Sequence, residues 1–180
     1  MQVYLLAAGD GRRSHGPKAW KIYEGKTLLE KQVHFLLSRF SAQAVTVSIQ
    51  EDWRQRCQNI HSQINWINED PKQSPLKAFQ VLLSAQPQTD WAFFYHVDMP
   101  VWNPTLFDSL AQGAKEGIDA VIPLHAQRLG HPVLLSPKLG PQIQALNPSI
   151  DRLDHYLRTR TVTTIEVPFD CVLQNWNQIA

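Results

Sequence analysis

Apolar residues in this chain come in short runs separated by polar, turn-rich stretches. Residues 3–8 (VYLLAA) form an unbroken apolar run, the pattern of a strand buried on both faces. Residues 91–97 (WAFFYHV) are the next most apolar segment and stop abruptly at Asp98-Met99-Pro100. Shorter runs at 44–49, 64–67, 120–123, 132–135 and 162–167 predict further strands. Helical patterns lie between them. Thr27-Leu28-Leu29-Glu30 has the form of a capping box, and Leu28, Leu29, Val33, Leu36 and Leu37 share one face of a helix running to about Phe40. Residues 51–60 read as a polar helix. Residues 76–85 read as a helix with Leu76, Phe79, Leu82 and Leu83 inward, and 104–115 as a helix capped by Asn103. Residues 137–146 and 149–158 predict two more helices, whereas 68–75 and 125–131 read as loops.

Strands alternating with helices predict an α/β class with a mostly parallel sheet, and a ligand outside the carboxyl ends of its strands. With 180 residues, no internal repeat and no linker, residues 1–180 are expected to form one domain. Hydrophobic residues make up 43% and charged residues 18%, so a substantial core is expected rather than disorder. A net charge of +1 gives no general attraction to nucleic acid or to a membrane surface, so an anion must be held by a local cluster. Cys57 and Cys171 are far apart and form no metal or disulfide pattern, which fits a reducing compartment. There is no apolar run of roughly 18 residues and no basic leader at Met1, so a cytoplasmic protein is expected.

The local cluster follows the first strand. Gly9-Asp10-Gly11 is a small-residue turn, and Arg12, Arg13 and Lys18 follow, the last after Gly16-Pro17. Backbone N–H groups can approach a polyphosphate where side chains are absent, and the cations neutralise it. The turn alone could equally be a tight turn and no more. A dinucleotide fingerprint requires a third glycine where Ser14 stands. A Walker loop requires lysine where Pro17 stands, and a hydroxyl where Lys18 stands. Asp98 ends a buried strand, which suits either a Mg²⁺ ligand or an acid near the Asn103 helix start. His96, inside an apolar strand, reads as a core histidine.

Leu6-Ala7-Ala8-Gly9-Asp10-Gly11-Arg12-Arg13 followed by Pro17-Lys18 resembles the signature of the nucleotidyltransferase superfamily, in the branch of the molybdenum-cofactor cytidylyl- and guanylyltransferases. Asp98-Met99-Pro100 resembles that family's D-M-P element, Arg128-Leu129-Gly130-His131-Pro132 its R-G-H-P segment with one insertion, and Asn175-Trp176-Asn177 an N-x-N element. The resemblance implies a Rossmann-like three-layer α/β/α fold of the nucleotide-diphospho-sugar transferase type, with a mostly parallel mixed sheet. It implies transfer of a nucleoside monophosphate from an NTP to a phosphorylated acceptor, a molybdopterin or another small phosphorylated molecule such as a sugar phosphate, with release of pyrophosphate. It implies that Leu6, Ala7, Ala8, Gly9, Gly11, Arg13, Lys18 and Ser74 bind the nucleotide and that Arg13 and Lys18 are catalytic. Asp98 is then the catalytic ligand of Mg²⁺, and Arg128, His131, Asn175 and Asn177 meet the acceptor. Guanylyl-transferring members tend to carry L-A-G-G; the extra methyl of Ala8 inclines the expectation to CTP over GTP. The tail lacks the family's T-P-E-D stretch, which motivates a second expectation, a nucleotide-binding regulatory domain without turnover. A nicotinamide-dependent oxidoreductase is disfavoured by the absent third glycine.

Overall fold

The computed structural model describes residues 1–11 and 16–176. In chain order it places strands β1 (Gln2–Leu6), β2 (Ile22–Tyr23) and β3 (Lys26–Thr27), helix α1 (Leu28–Leu37), β4 (Val45–Ile49), α2 (Arg54–Ile60), β5 (Asn65–Asn68), α3 (Pro75–Ala85), β6 (Ala92–His96) and α4 (Pro104–Gln112). Then come β7 (Ala120–His125), β8 (Arg128–Leu129), β9 (Val133–Leu135), α5 (Leu139–Gln144), α6 (Leu153–Leu157) and β10 (Val162–Glu166). The main sheet has the order β10-β7-β9-β6-β1-β4-β5, with β8 paired to β7. β5, β4, β1 and β6 are mutually parallel, β9 runs antiparallel between β6 and β7, and β10 is parallel to β7.

The central strands are apolar throughout because the sheet is covered on both faces. Along β1, Val3 and Leu5 join the core under α1, α2 and α4, while Tyr4 and Leu6 join the core under α3, α5 and α6. β6 alternates in the same way, Phe93 and Tyr95 against Ala92 and Phe94. Three layers result, as expected from the sequence.

The local signals hold where local chemistry is decisive. Glu30 N donates to Thr27 Oγ1 at 3.2 Å and Thr27 N to Glu30 Oε2 at 2.7 Å, closing the capping box. Leu106 N donates to Asn103 Oδ1 at 3.3 Å. Other elements differ from their expected bounds. The segment before α2 is a 3-10 turn, Glu51–Trp53. The helix expected at 149–158 is confined to Leu153–Leu157, because Asn147 N is taken by Asp151 Oδ2 in a side-chain-closed turn at 2.7 Å. The expected loop at 125–131 contains a tight hairpin: Ala126 and Gln127 adopt φ of 46° and 61°, and β8 folds back on β7.

Candidate functional site

The site forms at the carboxyl ends of β1, β4, β5 and β6. Beyond β1 the chain is pinned from the neighbouring strand. Ala7 N and Ala8 N donate to the buried Ser48 Oγ at 3.1 and 3.4 Å, and Gln50 Nε2 donates to Ala8 O at 2.8 Å. The turn then opens. A Cβ on Gly9 would meet nothing within 4 Å, so its small size leaves backbone exposed to the cavity rather than relieving a clash. Gly11 has φ 65°, a conformation that favours glycine. Its carbonyl accepts from Gly16 N at 3.3 Å.

Lys18 starts a 3-10 turn, Lys18–Trp20, and forms an ion pair with Asp98. The two side chains are 19% and 8% exposed, so this is a largely buried pair between the ends of two adjacent strands' loops. Asp98 is held by its backbone. Gln32, fully buried on α1, donates from Nε2 to Val97 O at 3.1 Å and to Met99 O at 2.7 Å, and accepts from Tyr95 OH at 3.1 Å. Trp176 N donates to Asp98 O at 2.8 Å. The Trp176 ring packs against Tyr23 and Trp102, with centroids 4.3 and 5.4 Å away. The tail, the β2–β3 hairpin after Lys18 and the segment after Asp98 therefore meet in one aromatic clasp.

A cavity of about 440 Å³ opens here, lined by residues from Leu6 to Gly11, by Lys18, His96 and Asp98, and on the far side by Glu69, Pro71 and Gln73. That volume suits a small-molecule site. Asp98 Oδ1 is buried and has no hydrogen-bond partner among the described residues, although its other oxygen meets Lys18. A buried carboxylate oxygen left open is a fit for a hard cation. Among the described residues no group of three or more His, Cys, Asp or Glu could hold a metal. One carboxylate plus ligand oxygens is the coordination Mg²⁺ takes beside phosphates.

A second, larger cavity of about 790 Å³ adjoins the first at His96 and Pro75. Its floor is apolar, with Phe94, Ile122, Val133 and Leu157, and its rim carries Arg152, Arg158 and Arg160. His131 lines it with Nδ1 buried and unpartnered among the described residues. Burial and the neighbouring His96 push the His131 pKa down to about 4, so its ring is neutral at physiological pH. Burial lowers the His96 pKa too, against the opposing pull of Asp98. Gly130 is required by packing: a Cβ there would lie 2.5 Å from Val172 O.

The model of the MobA-like NTP transferase domain matches residues 3–163. The chain belongs to that family. A search of the curated proteins found no match. Among solved structures it is similar to Rv0371c from Mycobacterium tuberculosis H37Rv, at 16% identity, covering 93% of this chain and 89% of that one, with a TM-score of 0.75. Molybdopterin-guanine dinucleotide biosynthesis protein A from Archaeoglobus fulgidus matches at 20% identity over 99% and 93%, TM-score 0.71. The 4-diphosphocytidyl-2C-methyl-D-erythritolsynthase from Anaerococcus prevotii matches at 14% over 92% and 86%, TM-score 0.69. These likenesses establish the fold as the nucleotide-diphospho-sugar transferase type.

The MobA-like fold brings most of the expected nucleotide residues together. Leu6, Ala7, Ala8, Gly9, Gly11, Lys18 and Asp98 all line the first cavity. Arg13 and Asn177 lie outside the described residues. Ser74 lines the second cavity, and its hydroxyl accepts from Lys77 N at 3.2 Å as the cap of α3. Arg128 is exposed on β8 and Asn175 is exposed on the tail; neither lines either cavity. His96 differs from its reading as a core residue. It is the last residue of β6, and its half-buried ring lines both cavities. Glu69 was hidden in a segment that reads only as loop. It follows β5 directly, and Glu69 N donates to Ile49 O at 2.9 Å. The signal available was its topology, an acid at the carboxyl end of a parallel strand.

Proposed function

We propose that this protein is a Mg²⁺-dependent nucleotidyltransferase. It transfers a nucleoside monophosphate from an NTP, with CTP favoured over GTP, to a phosphorylated acceptor of the molybdopterin type and releases pyrophosphate. The observation that carries the reading is the convergence of an open glycine turn, Lys18 and Asp98 in one cavity that joins a second cavity at His96. The glycine turn offers backbone donors to the triphosphate. Lys18 leaves Asp98 for the phosphates and, with Arg13, stabilises the charge gathering on the leaving pyrophosphate. Asp98 and phosphate oxygens would hold Mg²⁺, which supplies charge neutralisation at the transferred phosphoryl group. An oxygen of the acceptor's phosphate forms the new bond to the α-phosphorus as the bond to the bridging oxygen breaks. No protein nucleophile is needed, and the site contributes position and electrostatics.

The second cavity takes the acceptor, with His131 a neutral hydrogen-bonding group at its wall. Manganese is bound in a structure of Rv0371c, which supports use of a divalent metal. Ala8, buried beside the turn, supports the pyrimidine preference. Free Cys57 and Cys171 fit a cytoplasmic setting. Incubation with CTP or GTP, Mg²⁺ and candidate acceptors should release pyrophosphate; nucleotide binding without release under all acceptors points instead to a regulatory nucleotide-binding domain.

A further inference from the structure

Two residues line both cavities, Pro75 and His96. Pro75 opens α3 and has no polar side-chain atom, so the His96 ring supplies the polar side-chain atoms common to the two spaces. The strand end holds that ring from its backbone. Leu6 and His96 are partners in the parallel register of β1 and β6. Val97 N donates to Leu6 O at 2.9 Å, and Met99 N donates to His96 O at 3.1 Å. The ring packs edge-on against Phe94, with centroids 5.9 Å apart, on the sheet face that floors the outer cavity. It is half-buried, and neither ring nitrogen has a hydrogen-bond partner among the described residues. A histidine that served only as packing would have its polar atoms satisfied.

A polar group is required at this place. In the nucleotidyl-transfer reading above, the NTP occupies the inner cavity and the acceptor the outer one, so the new bond forms where the two join. Lys18 and Asp98 line the inner cavity alone, and Arg152, Arg158, Arg160 and His131 line the outer cavity alone. None of these is shared, and the attacking phosphate has to lie between the two sets.

We propose, on the basis of that reading, that His96 is a catalytic residue: its ring N–H donates to a non-bridging oxygen of the acceptor's phosphate and holds that phosphate in line with the α-phosphorus. Another oxygen of the same phosphate attacks. Its bond to the α-phosphorus forms as the bond to the bridging oxygen breaks, and the electron pair leaves on the pyrophosphate. No proton passes through His96. An imidazole has at least one N–H donor whether neutral or charged, so the assignment does not depend on its ionisation. The contribution is orientation, which matters most where two anions must be brought to bonding distance.

Single-turnover release of pyrophosphate with Mg²⁺, CTP or GTP and molybdopterin tests this. His96→Phe keeps a ring against Phe94 but has no donor. It should slow transfer by about 10- to 100-fold, the scale of one hydrogen bond to a charged group. Calorimetry with the non-hydrolysable α,β-methylene analogue of CTP should leave its nucleotide affinity unchanged. His96→Gln restores an N–H donor and should recover most of the rate. Wild-type transfer by His96→Phe overturns the proposal. A His96→Gln variant as slow as His96→Phe also overturns it and marks the ring as a matter of shape alone. Histidine-selective ¹⁵N NMR of the wild-type protein decides the matter even if His96→Phe does not fold. Molybdopterin added to the complex with Mg²⁺ and the CTP analogue should shift the ring signals of His96, identified as those missing from His96→Gln, and unmoved signals overturn the proposal. Wild-type protein that releases no pyrophosphate overturns the nucleotidyl-transfer reading itself, and this assignment with it.

Discussion

The two cavities are built on different foundations. The inner one stands on four parallel strands, and its functional groups are fixed from behind: Ser48 and Gln50 hold the turn, while Gln32 and Trp176 hold the backbone at Asp98. The outer one is walled by α6, a five-residue helix, by the two-residue strand β8 and by the turn that precedes α6. Chemistry that tolerates little displacement is placed on rigid strand ends. The floor of the outer cavity is the sheet itself, with Phe94, Ile122 and Val133, but its walls are short peripheral elements whose shape can differ without disturbing the sheet. The contrast shows why the roles of the inner cavity's residues are easier to read than those of the outer one.

The comparison can be broken at several points. The largest effect is expected from Asp98→Asn or Lys18→Ala, each lowering pyrophosphate release by about a hundredfold or more; near wild-type turnover in either would remove the inner cavity from the mechanism. Gln32→Leu leaves the carbonyls of Val97 and Met99 without that donor. It should cost about 2 kcal/mol in urea unfolding and slow turnover while leaving acceptor KM unchanged. A shift confined to acceptor KM would place Gln32 with the outer cavity instead.

The outer cavity should answer to pH through His131. Its folded pKa of about 4 lies below the ordinary 6.5, so the unfolded chain binds the proton more readily between those values. Stability contributed by the neutral ring is full above about 6.5 and is lost as pH falls toward 4. His131→Gln should flatten that part of a stability-versus-pH curve, and an unchanged slope would count against a buried neutral histidine. The smallest effect is expected from Ser74→Ala. Loss of the α3 cap should cost about 1 kcal/mol and leave nucleotide affinity within twofold; a large loss of affinity would return Ser74 to the nucleotide.

Much of the inner half was legible in the sequence because its signals are local. The apolar runs of β1 and β6, the Thr27–Glu30 capping box and the glycine turn each state their structure within a few residues. The outer half was less so. The β7–β8 hairpin turns through Ala126 and Gln127, neither of which advertises a positive φ. His96 looked like part of a buried strand because nothing local reveals that β6 ends with it at the junction of two cavities. Glu69 belongs to the inner site yet was missed, since only the pairing of β5 beside β4 carries the following residue to the cavity edge. Ser74, in a stretch that reads as loop, caps α3 and also lines the outer cavity, so its cap role stands beside the nucleotide contact expected of it.

The aromatic clasp around Asp98 also makes the protein its own optical reporter. Trp176 donates its backbone N–H to Asp98, Trp102 packs on Trp176, and Trp20 ends the turn that Lys18 begins. Any ligand that draws Lys18 away from Asp98 changes the electric field at three indole rings. Intrinsic fluorescence is therefore expected to follow occupancy of the inner cavity, without a label and without the acceptor being known.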